Sequence, residues 1–195
     1  MNREQRRCAW ADPNSALYLT YHDQEWGVPE HRDRRLFEML MLESFQAGLS
    51  WITILKKRES FRRAFDGFDP VLVARYGPEK IADLMEDRGI VRNRRKIQAA
   101  VNNARGFLSI QEEFGSFDAY LWGFTGGRVI LNADDRARDR TELSDRVSAD
   151  LKRRGMTFVG SVIIYSFLQA VGVVNDHETA CWRYPRTPAA GDGLV

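Results

Sequence analysis

Five residues near the C-terminal end, HETAC (177–181), set a histidine and a cysteine four apart around a glutamate. The pattern differs by one residue type from H-E-x-x-H, where two histidines on a helix hold a catalytic zinc and the glutamate acts as base. On a helix, His177 and Cys181 share a face and can hold one ion. Cys8 and His22, separated by thirteen residues at the other end of the chain, complete a Cys2His2 set. The set uses both cysteines of the chain and two of its three histidines. A catalytic zinc keeps one position open for water. Here a second thiolate is available to close the shell, and two thiolates weaken the Lewis acidity of an ion. The deaminase pattern H-x-E followed by P-C-x-x-C is absent. Two readings stay open: a metal site tying the chain ends together, or two buried thiols beside two ordinary histidines.

A second group of residues has the chemistry for nucleic acid. DRGIVRNRRK (87–96) holds five Arg or Lys in ten residues. A glycine after one helix, two β-branched residues and a new helix start suit a tight turn whose N–H groups face a phosphate. The same run also reads as a solvated loop between helices. Tyr18 and Tyr21, three apart, are neighbours on one helix face, and Trp10, Trp26 and Trp51 lie nearby in sequence. Aromatic faces can sandwich a nucleobase or fill a core. Glu43 stands seven after Leu36, three after Leu40 and four before Ala47, so a carboxylate lies on an apolar helix face. Burying that charge is costly unless it is paired or hydrogen-bonded. It needs either an arginine partner or a ligand.

The elements that must position these residues are nearly all helical. Asn14 or Ser15 caps a short helix reaching His22. Asp33 caps the next, which Gly48 ends, and Ser50 starts another. Asp69-Pro70 opens a helix closed by Gly77, and Pro78 opens the following one. Asn93 to Phe114 reads as one long helix, and Ser116 starts a short one through Leu121. Residues 126–142 read as a loop, Ser144 caps a polar helix ending at Gly155, and Gly160 to Ala170 is apolar. The uncharged run Gly155 to Asn175 is long enough for a bilayer. Its three Gly, two Ser, Thr and Gln favour a buried helix instead. With 195 residues, 44% hydrophobic and 29% charged, the chain fits one compact domain over 1–184 with a disordered tail over 185–195. A net charge of +2 requires any basic footprint to be local. The N-terminus lacks an apolar run, which predicts a cytoplasmic protein with free thiols or a metal rather than a disulfide.

CAW (8–10), LYLTYHDQEWGVP (17–29), LFEMLMLESFQAGLSWITILKKRE (36–59), GIVRNRRKIQA (89–99), FVGSVIIYSFLQAVGVVNDH (158–177) and Cys181 occur in one order. In these stretches the chain resembles the DNA-3-methyladenine glycosylase I family of bacterial repair enzymes, in the helix-hairpin-helix superfamily. The resemblance implies an all-α helix-hairpin-helix glycosylase fold and a structural zinc joining the N- and C-terminal segments through Cys8, His22, His177 and Cys181, with Glu178 incidental. It places the base-binding glutamate on Glu43, the stacking tryptophan on Trp51 and further pocket aromatics on Trp10, Tyr18, Tyr21 and Trp26. Gly48 and Leu49 match the loop that wedges into the duplex, and Gly89, Arg92, Arg94, Arg95 and Lys96 fall on the DNA-binding hairpin.

Ser44 and Phe45 stand where a glycine and a glutamine are expected, Arg95 where a second hairpin glycine is, and 126–142 has no match. The implied reaction hydrolyses the N-glycosidic bond of 3-methyladenine in double-stranded alkylated DNA. It releases the base and leaves an abasic site without lyase cleavage. No catalytic aspartate is evident. The implied protein is a monomer without a membrane partner. The competing reading is a non-catalytic DNA-binding or lesion-sensing protein on the same scaffold.

Overall fold

The structure, a computed structural model, describes residues 5–185. The expected tail lies outside these residues apart from Pro185. Helix α1 (Ala16–Gln24) starts where the Ser15 hydroxyl accepts from the Tyr18 N–H. Then come α2 (Asp33–Gln46), α3 (Trp51–Ala64) and a 3-10 turn over Asp66–Phe68. The short α4 (Pro70–Val73) is capped by Asp69, which accepts from Val71 and Leu72. It stops before Gly77, earlier than the sequence suggests. Helix α5 (Pro78–Glu86), α6 (Arg94–Phe114, capped by Asn93) and α7 (Phe117–Gly123, capped by Ser116) follow. The last two helices are α8 (Glu142–Arg153) and α9 (Ser161–Ala170). Two short strands, β1 (Ile130–Leu131) and β2 (Val174–Asn175), pair in parallel, with Ile130 opposite Val174.

Helix α2 lies at the centre because its side chains from Leu36 to Phe45 are all buried. It packs against α3, α6, α7 and α9. Phe37, Phe107 and Phe117 stack between α2, α6 and α7, and Phe45, Phe61, Phe65 and Phe68 fill the other end. The uncharged run 155–175 supplies α9 and β2 to this core. Among the described residues no helix is long and apolar enough to cross a membrane.

Three local expectations change. Asp33 does not cap α2: Arg32 is the capping residue and offers no side-chain bond. The Asp33 carboxylate instead accepts from the N–H groups of Phe117 and Asp118, 2.9 and 2.8 Å away, at the start of α7. A free helix N–H takes any acceptor in reach, local or not. Thr141, not Ser144, caps α8; Ser144 is the reciprocal partner in the capping box. Residues 177–181 are turns rather than a helix, closed by the Cys181 N–H on the Glu178 carbonyl at 2.7 Å.

Candidate functional site

The two chain ends meet at the Cys2His2 set. One ligand atom from each of Cys8, His22, His177 and Cys181 lies within 4.8 Å of the others, and all four residues are buried. The Cys8 sulfur is 3.4 Å from His177 Nδ1, and the Cys181 sulfur is 3.5 Å from His22 Nε2. The outward nitrogens fix the tautomers. His22 Nδ1 lies 2.8 Å from an Asp23 oxygen, and Asp23 also accepts from Arg7. The Arg7 hydrogen bond holds Asp23 down to about 2, so that it accepts the ring proton. His177 Nε2 donates to the Trp26 carbonyl at 3.2 Å. Each ring therefore turns a lone pair inward, the arrangement of a metal-ligating histidine.

Burial lowers both imidazoles, His177 to about 4, so both are neutral at neutral pH. It pushes the ion-free Cys8 thiol up to about 12, a preference that a cation reverses. The N–H groups of Glu178 and Arg183 donate to the two sulfurs at 3.4 Å. Gly27, at φ +74°, holds a conformation that side chains rarely adopt, and a Cβ there would crowd His177 Nε2 at 3.1 Å. These features fit a closed metal site. Glu178 is not idle, because its Oε1 accepts from the Ala9 N–H at 2.7 Å and ties the same two segments.

Beside this cluster opens a cleft of about 450 Å³. Trp10, Tyr18, Tyr21, Trp26, Glu43 and Trp51 all line it, brought from the N-terminal segment, α1, α2 and α3. Trp10 meets Trp26 edge-on at 4.9 Å, and Tyr21 lies 5.5 Å from Trp51. The Tyr18 hydroxyl accepts from the Ile52 N–H at 3.2 Å and so fixes the first turn of α3, which carries Trp51. Glu43 is 3% exposed and has no hydrogen-bond or ion-pair partner among the described residues. Burial pushes its carboxyl up to about 8. The same burial, with Glu43 close by, raises the Tyr21 phenol well above its usual value.

The rest of the lining was not legible in the sequence. It comprises Asp134 to Arg138 together with Gln46, Ser166, Gln169, Asp176 and Glu178. Asp135 accepts from the Thr179 N–H and hydroxyl, each at 2.8 Å, and Arg138 pairs with Asp134. Asp176 accepts from Tyr165, Asn132 and Gln169. The charge density of ADDRARDR was the available signal, and it carries no period that assigns a place.

Gly48 and Leu49 form an exposed tip between α2 and α3, with Gly48 at φ +78°. Leu49 donates its N–H to the Gln46 carbonyl at 2.7 Å, and Gln46 Nε2 donates to the Leu49 carbonyl at 2.6 Å. In the turn between α5 and α6, the Gly89 N–H donates to Asp87 at 2.7 Å, and a Cβ on Gly89 would come within 2.9 Å of Ser60. Arg92, Arg94 and Arg95 are exposed and form no ion pair among the described residues. Lys96 departs from the expected surface role. It is 8% exposed, and its ammonium donates to the carbonyls of Phe45 and Ala47 at 2.9 and 2.6 Å.

The described residues thus form a helical protein with an aromatic-walled cleft and a buried carboxylate, Glu43, that has no partner among them. The chain belongs to the methyladenine glycosylase family, whose sequence pattern matches residues 10–184. It is 46% identical over 182 residues to DNA-3-methyladenine glycosylase 1 of Escherichia coli (strain K12), covering 92% of this chain and 97% of that one. It is 42% identical over 178 residues to the DNA-3-methyladenine glycosylase of Haemophilus influenzae (strain ATCC 51907 / DSM 11121 / KW20 / Rd), covering 90% and 96%. The solved structure of 3-methyladenine DNA glycosylase I from Staphylococcus aureus, described for its recognition of 3-methyladenine, superposes with a TM-score of 0.88 at 38% identity, covering 94% and 98% of the two chains.

Proposed function

We propose that this protein is a base-excision repair glycosylase that hydrolyses the N-glycosidic bond of 3-methyladenine in alkylated double-stranded DNA. The observation that carries the reading is Glu43, a buried carboxylate without a partner among the described residues, facing a cleft walled by aromatic rings. The named activities of the relatives support the same reaction.

Methylation at N3 puts a positive charge on the base, weakens its bond to the sugar and makes it a good leaving group. The protein must flip the nucleotide out, at a cost of a few kcal/mol. Glu43 then ionises against the cation and accepts hydrogen bonds from the adenine edge. Trp51 stacks on the ring, with a cation–π component of roughly 0.5–2 kcal/mol. Trp10, Tyr18, Tyr21 and Trp26 close the cleft around it and exclude water from its faces. Water attacks the oxocarbenium-like sugar. Asp176 is already committed to Tyr165 and Gln169, so we assign no catalytic base. Among the described residues the cleft lining holds no lysine, so the reading assigns no Schiff-base step and ends at base release.

On this reading the α5–turn–α6 unit is a helix-hairpin-helix that presents Gly89, Arg92, Arg94 and Arg95 to phosphates, and Gly48–Leu49 wedges into the space the base leaves. Cys8, His22, His177 and Cys181 would hold a structural zinc, whose chemistry is to cross-link the chain ends and add to folding free energy. Incubation with methylated duplex DNA and chromatography of the released bases tests the proposal. Free 3-methyladenine and heat-labile abasic sites are expected. Tight binding of the duplex without base release would identify a lesion-sensing protein instead.

A further inference from the structure

Lys96 is the third residue of α6 and directly follows the exposed Arg94 and Arg95, yet it is buried. We infer that Lys96 is a positioning residue for base excision: its ammonium locks the Gly48–Leu49 tip to the arginine-bearing turn. Phosphate binding and extraction of the base then occur in register. The inference rests on reading those two segments as the DNA-facing surface.

The tip is a short loop held through its backbone. Two of its bonds are its own, Leu49 N–H to the Gln46 carbonyl and Gln46 Nε2 to the Leu49 carbonyl. The other two come from Lys96, to Phe45 and Ala47. Among the described residues these are the hydrogen bonds that join α6 to residues 45–50. A cation at a helix C-terminus meets the partial negative charge of the last carbonyls, which offsets the cost of burying it. The cleft begins just outside the loop. Glu43 lies two residues before Phe45, and Trp51 two after Leu49. On the other side, Lys57 donates to the Arg88 carbonyl at 2.8 Å and fastens the arginine turn to α3. A duplex gripped by Arg92, Arg94 and Arg95 is thus set at a fixed distance from the tip, and Lys96 supplies the hydrogen-bonded link between α6 and the loop that carries the tip. Removing the ammonium frees the tip from α6 while leaving the aromatic walls, Glu43 and the arginines in place.

The test separates holding the base from extracting it. Lys96→Met, which keeps the apolar stem, and Lys96→Arg, which keeps charge and donors, are compared with the parent. Readouts are binding of free 3-methyladenine by tryptophan fluorescence, single-turnover excision from a duplex, and excision of the same lesion opposite an abasic site, where it has no pairing partner and costs less to extract. Lys96→Met should bind the free base within about twofold of the parent but excise from the paired duplex roughly tenfold or more slowly, the size expected for a lost charge-assisted hydrogen bond. The deficit should shrink opposite the abasic site, and Lys96→Arg should recover part of the rate. The salt dependence of duplex binding should not change, because Lys96 makes no phosphate contact. A slope flattened by about one unit would make Lys96 a phosphate ligand and overturn the inference. Loss of free-base binding in step with excision, from unfolding or a distorted cleft, would reduce it to a structural anchor. Leu49→Ala serves as the control for the surface. If Leu49→Ala slows duplex excision and Lys96→Met does not, only the role of Lys96 fails. If neither does, the tip is not the wedge.

Discussion

Glu38 and Glu43 lie five residues apart on α2, and both are buried, but they meet opposite surroundings. Glu38 sits between Arg35 and Arg62, 2.6 and 2.8 Å away. Glu43 has no cation beside it among the described residues and faces the cleft. Its carboxyl titrates near 8 in the folded chain against an ordinary 4.5. Below about 4.5 both folded and unfolded chains hold the proton. Between there and about 8 the unfolded chain has lost it and the folded chain has not, so stability falls as pH rises through this window. Glu43→Gln removes that penalty. Urea unfolding at pH 5 and pH 8 should show the variant gaining on the parent at the higher pH, and parallel curves would mean that Glu43 is paired.

The same change should slow single-turnover release of 3-methyladenine by about 10- to 150-fold, since a hydrogen bond to a charged group contributes roughly 1.5–3 kcal/mol. A variant that unfolds while its folded fraction works at full rate would make Glu43 a structural residue. Glu38→Gln removes the buried partner shared by two arginines, leaving Arg35 with Glu25 and Glu30 and Arg62 with Glu59. It should lose about 1–3 kcal/mol of stability with excision by the folded protein unchanged.

At the scale of elements, helix ends are completed by whatever acceptor or donor lies within reach. Asp33, the first residue of α2, serves the start of α7, 84 and 85 residues away in sequence. Asp33→Ala should cost about 0.5–2 kcal/mol, the range for a lost helix cap, measured by thermal unfolding. Equal stability would show that water replaces the carboxylate. The α5–α6 turn makes a different demand. Each arginine that neutralises a phosphate releases counterions, so replacing Arg92, Arg94 and Arg95 with alanine should flatten the log–log salt dependence of duplex binding by roughly 2–3 units. Free-base affinity should stay as it is. An unchanged slope would place the duplex on another surface.

At the scale of the whole molecule, the Cys2His2 cluster joins segments 169 residues apart. Trp10 and Trp26 pack against His22 and His177, so the cluster and the cleft share a wall. Cys181→Ser should lower both zinc content and melting temperature, and a strong chelator should do the same to the parent protein. Glu178→Gln keeps an oxygen for the Ala9 N–H and should leave base release nearly unchanged. Large loss of activity in a folded, zinc-loaded Glu178→Gln protein would restore a chemical role to that glutamate.

The sequence by itself determined much of what depends on near neighbours, although it placed the α8 cap on Ser144 rather than Thr141 and read 177–181 as helical. Apolar spacing gave the helices, and Ser15, Asp69-Pro70, Asn93 and Ser116 marked their starts because a cap bonds within three residues of itself. Residue types offered a Cys2His2 set without deciding between a metal site and free thiols, and put a carboxylate on the apolar face of α2. Tertiary structure decided the rest. The target of Asp33, the burial of Lys96 on carbonyls 51 and 49 residues away, and the wall formed by 134–138 have no local signature. Their partners are hydrogen-bonding groups found all along the chain, and only folding brings one particular pair within 3 Å. Glu43 shows the division most clearly. Helical spacing predicted its burial, but only the folded chain could show that among the described residues no arginine reaches it, which leaves its charge open to a ligand.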